Sequence, residues 1–292
     1  YFIQNAPKYS HSIFNVYGDY APEKAVDIVI LPDGYTEEEM GKFVNDCNFF
    51  KECLFSYEPY ISYQDRFNIR AVMAPSRDSG ITIPAEDIWK NTAVSCSFYT
   101  FDSERYCMSY DNYSIRNLAG QVPYDQIYIL ANTSKYGGGG IYNFYCVSST
   151  DDHFSSDVII HEFGHGFAGL GDEYYDDSGS YEEFYNLSIE PWEPNITTLT
   201  NLEAKSWYAL MNGKYEPVKR EDGDKFNPNS PNAELYNPKK PWQLGVYEGA
   251  GYLEKTVYRP WPNCMMNWFH TVDVYCPVCQ HEIQRTIDLF TK

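Results

Sequence analysis

The chain has 292 residues, 43% of them hydrophobic and 22% charged, which supplies a sizeable core and excludes a disordered or collagen-like chain. Its net charge of −19 repels phosphate backbones, so nucleic acid is not expected as a partner, whereas cations and metals are suited to it. No apolar run approaches the roughly 18–20 residues of a membrane-crossing helix, so no membrane span is expected.

In chain order, residues 1–25 read as an N-terminal arm, irregular over 1–20. Val26–Leu31 is a short apolar run closed by Pro-Asp-Gly, the pattern of a buried strand and a turn. Thr36 to about Phe55 reads as a helix with Thr36 as N-cap and Glu37–Glu39 in the first turn. Phe67–Met73 and Asp125–Ala131 read as further core strands, so the fold class is α/β, built on a sheet. The run Tyr136-Gly-Gly-Gly-Gly140 lacks a following Lys-Ser/Thr pair and lies in a negative stretch. It therefore reads as a turn into an edge strand over Ile141–Ser148 and not as a phosphate loop. Ser155–Ala168 reads as the central helix, 176–244 as a long irregular insertion rich in Pro and Asn, and Gln280–Phe290 as a C-terminal helix. With no linker of simple composition, 26–292 is expected as one catalytic domain.

The chemistry concentrates at His161-Glu162-Phe163-Gly164-His165, an HExxH pattern led in by the apolar Val158-Ile159-Ile160. On a helix, residues four apart share a face, so His161 and His165 can present imidazoles to one ion. Zinc suits such donors, and a catalytic zinc site takes three protein ligands plus water. Glu162 lies beside the histidines, placed to act as general base. The third ligand is expected in Gly169-Leu-Gly-Asp-Glu-Tyr174, with Asp172 first and Glu173 second. The familiar HExxHxxGxxH/D spacing places its Gly and third ligand one residue earlier than Gly169 and Asp172. From Tyr136 to Glu190 there are eleven Asp and Glu and no Lys or Arg, so this segment works in a negative field.

The stretch HEFGHGFAGLGDEY resembles the IgA-peptidase family of zinc metalloendopeptidases. The resemblance extends, in order, to Ile30-Leu-Pro-Asp-Gly-Tyr-Thr36, Pro75-Ser-Arg-Asp-Ser-Gly80, Asp125-Gln-Ile-Tyr-Ile-Leu130 and Tyr136-Gly-Gly-Gly-Gly140, and then to Glu248-Gly-Ala250, Tyr258-Arg-Pro260, Cys264-Met-Met266 and Cys276-Pro-Val-Cys279. It covers about 26–292. It implies a zincin- or metzincin-like fold: a mixed twisted sheet, an active-site helix and a Met-containing turn under the metal, here with Met266 as the floor. One catalytic Zn2+, a protein or peptide substrate and a secreted, periplasmic or cell-surface setting are implied. Relatives often carry an upstream β-sandwich domain, for which this chain shows no room. Tyr258 and Tyr174 are candidate oxyanion donors, and His270 a candidate assistant. Zincins usually take substrate as an added strand, for which 141–148 is the candidate edge. Two rival readings are a zinc hydrolase of a glycan amide or ester, and a non-catalytic binding protein on the same fold.

The eight cysteines lean toward an oxidising compartment. Cys96 and Cys107 are spaced for a local disulfide, and Cys276-Pro-Val-Cys279 reads as a redox pair or half of a zinc site that Cys264 and His281 could complete, a disulfide involving this cluster being preferred. Cys47 and Cys53 are too far apart along a helix to pair. Asp176, Asp177, Glu182 and Glu183 could hold a structural Ca2+, although no EF-hand spacing is present.

Overall fold

A computed structural model of the chain describes residues 10–175, 185–219, 243–267 and 274–292. The backbone divides into two compact units. One comprises 1–55, 63–162 and 290–292, the other 56–62 and 163–289, so the division falls inside the central helix.

The first unit is a sheet with helices on both faces. Its strands are β1 (Ile13–Tyr17), β2 (Val26–Asp33), β3 (Phe67–Val72), β4 (Gln126–Ala131), β5 (Gly138–Ile141) and β6 (Tyr145–Ser149), in the order β1-β3-β2-β4-β6-β5. The four inner strands are parallel and the two outer ones antiparallel to their neighbours. Every residue of β2 and β4 is buried, which is why both read as continuous apolar runs. Alternate residues Val29, Leu31, Ile127, Ile129, Tyr145 and Val147 share one core cluster with Ile115 and Ala119 of α2 (Asn112–Ala119). The opposite face meets α1 (Met40–Leu54), where Phe50 packs 4.6 Å from the Tyr128 ring. It also meets the start of α3 (Ser155–Ala168), where the Tyr128 hydroxyl donates to Ile159 O at 3.2 Å. The helix expected from Thr36 begins with a short 3-10 turn, Glu37–Glu39, before α1. The Glu39 carboxylate reaches back to accept from Thr36 N–H at 2.9 Å, as a capping box requires.

Two expectations are corrected here. Residues 10–20 are not irregular throughout, because Ile13–Tyr17 forms β1, paired with β3. Nor is 141–148 an edge strand. The glycine run itself is the edge, and 142–144 form the turn to β6, which is paired on both sides by β4 and β5. Gly is disfavoured in strands by propensity, but close packing overrides that here. A Cβ on Gly139 would fall 2.1 Å from Met108 Sδ, and one on Gly138 would fall 3.0 Å from Val158 Cγ1 and 3.3 Å from Glu162 Cγ. The outer edge of β5 is engaged at Gly138, whose N–H donates to Arg105 O (3.1 Å) and whose carbonyl accepts from Cys107 N–H (3.3 Å).

The second unit contains α4 (Ser206–Leu210), β7 (Pro217–Val218), β8 (Val246–Ala250), β9 (Leu253–Arg259) and α5 (Pro277–Phe290). The three strands form a sheet in the order β7-β8-β9. The described part of the expected insertion, 185–219, is therefore not wholly irregular. It buries Trp207 completely and supplies β7, and Lys205 Nζ donates to the carbonyls of Pro191 (2.8 Å) and Ile196 (2.7 Å), pinning the loop between them. The acidic candidates Asp176, Asp177, Glu182 and Glu183, and His270, lie outside the described residues.

All eight cysteines are buried thiols, so the expected disulfides are corrected. Cys264 Sγ and Cys279 Sγ are 3.8 Å apart, well beyond the roughly 2.05 Å of a bonded pair.

Candidate active site

The site is built on one continuous stretch, the second half of α3 and the turn after it. The helix is apolar on several faces, with Ile159, Ile160, Phe163 and Phe167 buried, so it forms as a core helix with its polar residues enclosed. The four-residue spacing puts His161 and His165 on one face. Helix α3 stops at Gly169, whose φ of 64° is the left-handed conformation glycine adopts without a Cβ penalty. Gly169 N–H still bonds to His165 O at 3.1 Å, and the reversal brings Leu170 O within 2.6 Å of His165 Nδ1. With Nδ1–H donating to that carbonyl, Nε2 of the neutral ring keeps its lone pair for a metal.

The same turn swings Asp172 back. Its Oδ1 lies 3.3 Å from His165 Nε2, which is the edge, about 3.3 Å, of a tetrahedron with ligand bonds near 2.0–2.1 Å. Ligand atoms of His161, His165 and Asp172 all lie within 4.8 Å of one another. Two imidazoles and a carboxylate are the donor chemistry of a zinc site, and the residues therefore fit that ion. His161 and Asp172 are buried, at 5% and 6% exposure, so a charge held between them is shielded from water.

Several contacts hold Asp172 in place. Tyr252, in the turn between β8 and β9, donates its hydroxyl to Asp172 Oδ2. Gly251 N–H donates to Asp172 O at 2.9 Å and Tyr252 N–H to Tyr174 O at 3.0 Å, so the hairpin clamps the backbone as well. Asn195, fully buried, accepts from Gly171 N–H (2.7 Å) and donates to Gly171 O (2.9 Å) and Glu173 Oε1 (2.9 Å). Neither Tyr252 nor Asn195 carries a sequence signal. One is a tyrosine among 28, and the other an asparagine in a stretch rich in Asn and Pro.

Glu162 sits between the ligand positions, with its Cγ against the space at Gly138 and its carbonyl accepting from Cys146 Sγ at 3.1 Å. Met266, fully buried, lies against α3 at Gly164, where an added Cβ would stand 2.8 Å from its Sδ. Glu173, the alternative third ligand, is directed elsewhere: its Oε1 lies 3.2 Å from Cys279 Sγ. The Tyr258 hydroxyl accepts from Lys219 Nζ at 2.7 Å and donates to Glu248 Oε1 at 3.4 Å, and the tyrosine that reaches a proposed ligand is Tyr252. Tyr174 stacks edge-on against Tyr252, ring centroids 5.3 Å apart.

No curated protein matches the chain. The family model for IgA Peptidase M64 matches residues 16–231 and 224–287, most of the chain, and with the convergent histidines and carboxylate this identifies the protein as a metallo-endopeptidase belonging to the IgA Peptidase M64 family.

Proposed function

We propose that the protein hydrolyses peptide bonds of an extracellular protein or peptide, with one zinc ion held by His161, His165 and Asp172 and with Glu162 as general base. The observation that carries this reading is the convergence of the three donor groups within 4.8 Å on a single helix and its reversing turn. Bound there, zinc would bring the pKa of a water toward about 7 and polarise the scissile carbonyl. Glu162, next to His161 and one turn before His165, would take the proton from the attacking water and deliver it to the leaving amine. His165 is held in one tautomer by Leu170 O, and Asp172 is oriented by Tyr252, so neither ligand has to reorganise. Met266 supplies an apolar floor against Gly164. A substrate strand would add to β5 beyond Gly138, over Gly139–Ile141. The setting proposed, outside the cytoplasm, rests on the family resemblance of the sequence and is checked by fractionating cells that express the native gene.

The test is a mass-spectrometric screen of a mixed peptide pool with zinc-loaded wild type and Glu162→Gln. Cleavage by wild type alone is expected, with zinc retained in both. Turnover of glycan amides or esters with every peptide intact, or undiminished cleavage by the variant, would overturn the reading.

A further inference from the structure

We infer that the second unit holds a second, structural zinc ion, bound by Glu173, Cys264, Cys276 and Cys279 and separate from the catalytic centre. One ligand atom from each of these residues lies within 4.8 Å of the others, and all four are fully buried or within 1% of it. Cys264 Sγ and Cys279 Sγ are 3.8 Å apart. Zn–S bonds of about 2.3 Å at the tetrahedral angle give an S···S edge of about 3.8 Å. Glu173 Oε1 stands 3.2 Å from Cys279 Sγ and 3.8 Å from Cys276 Sγ, bracketing the roughly 3.5 Å S···O edge of the same tetrahedron. Glu173 Oε2 is buried and has no hydrogen-bond partner among the described residues, a costly state for a carboxylate that a divalent cation relieves.

The surrounding backbone is arranged for thiolates. Cys276-Pro-Val-Cys279 opens α5, and Cys279 N–H points at Cys276 Sγ (3.5 Å) while Cys276 N–H points at Cys264 Sγ (3.2 Å). A four-cysteine site would show a second CxxC in the sequence. Here the remaining ligands are Cys264, twelve residues before the pair, and Glu173, a carboxylate 106 residues before Cys279 that no spacing reveals.

The ion has a definite place in the architecture. Glu173 follows Asp172 directly, and Glu173 N–H donates to Met266 O at 2.6 Å. Cys264 lies two residues before Met266. A structural zinc thus fastens together the third-ligand segment, the Met266 turn and the start of α5, and its loss should loosen Asp172.

The site stands whether or not the peptidase reading does, and its test is read in metal content. The full-length protein, purified under reducing conditions and assayed by elemental analysis, should carry two zinc ions per chain, and His161→Ala/His165→Ala should keep one. Cys276→Ser/Cys279→Ser should lose the second ion. Because that variant could fail to fold, the histidine variant is also reconstituted with Co2+, where an ultraviolet thiolate-to-cobalt charge-transfer band as strong per chain as that of wild type is expected. A single zinc in wild type with none in the histidine variant, absence of the charge-transfer band, or a native disulfide among Cys264, Cys276 and Cys279 in the unreduced mass would overturn the inference.

Discussion

A short-range carbonyl decides the state of His165, the second histidine of the proposed zinc site. Leu170 O, 2.6 Å from His165 Nδ1, orients the ring toward Asp172 before any ion arrives. Asp172 is similarly prepared, one oxygen directed at His165 Nε2 and the other taken by the Tyr252 hydroxyl. Partners of metal ligands typically affect metal affinity by about 10–100-fold. Tyr252→Phe should therefore weaken catalytic zinc by about tenfold or more in a competitive chelator titration, without loss of folding by circular dichroism. Asp172→Ala should weaken it further, and unchanged affinity would move the third ligand elsewhere. The HExxH residues were legible because they repeat locally. Tyr252 was not, since it reaches Asp172 across 80 residues and no pattern distinguishes it from the other tyrosines.

Among the elements, α3 depends on a missing side chain. Gly164 opens a notch for Met266, where an added Cβ would meet Sδ at 2.8 Å and the Tyr275 hydroxyl at 3.1 Å. Overpacking a well-filled core costs about 1–3 kcal/mol, more than the helix propensity a larger residue gains. Gly164→Val should lower stability by about 2 kcal/mol in urea unfolding of the zinc-loaded protein, and Met266→Ala should recover part of the loss. The start of α1 offers a titration test. Burial works against the Glu39 carboxylate, but hydrogen bonds from Thr36 N–H, the Ser79 hydroxyl and the Asn132 amide outweigh it and hold its pKa below the ordinary 4.5. A carboxyl lowered on folding adds stability above its unfolded pKa, and that stability fades as pH falls through the folded value. Glu39→Ala should thus cost about 1 kcal/mol near pH 7, with the gap to wild type closing below about pH 4.5. The strands β2 and β4 and the helices α1 and α3 were readable from apolar runs and caps. The β5 edge was misread because its glycines are chosen by Met108, Val158 and Glu162, residues remote in the chain, and not by strand propensity.

For the molecule as a whole, the net charge of −19 and the absence of Lys and Arg from 136–190 predict selection among substrates. Matched peptides differing only in charge should be cleaved with kcat/KM about tenfold higher for the basic member at low salt, the advantage shrinking as ionic strength screens the field. Equal rates for acidic and basic peptides would remove the electrostatic argument.

By itself the sequence determined the α/β class, the helix that carries His161 and His165 on one face, and the glycine turn that follows it. Each of these rests on regularities within a few residues: a helix rising 1.5 Å per residue puts positions four apart on one face, and a buried parallel strand is apolar throughout. Only the tertiary structure decided that Asp172 and not Glu173 turns toward the histidines, that Tyr252 and Asn195 hold that turn, and that Cys264, Cys276 and Cys279 gather around Glu173. Those outcomes depend on where the chain returns after long excursions, and the residues involved carry no periodicity that records their partners.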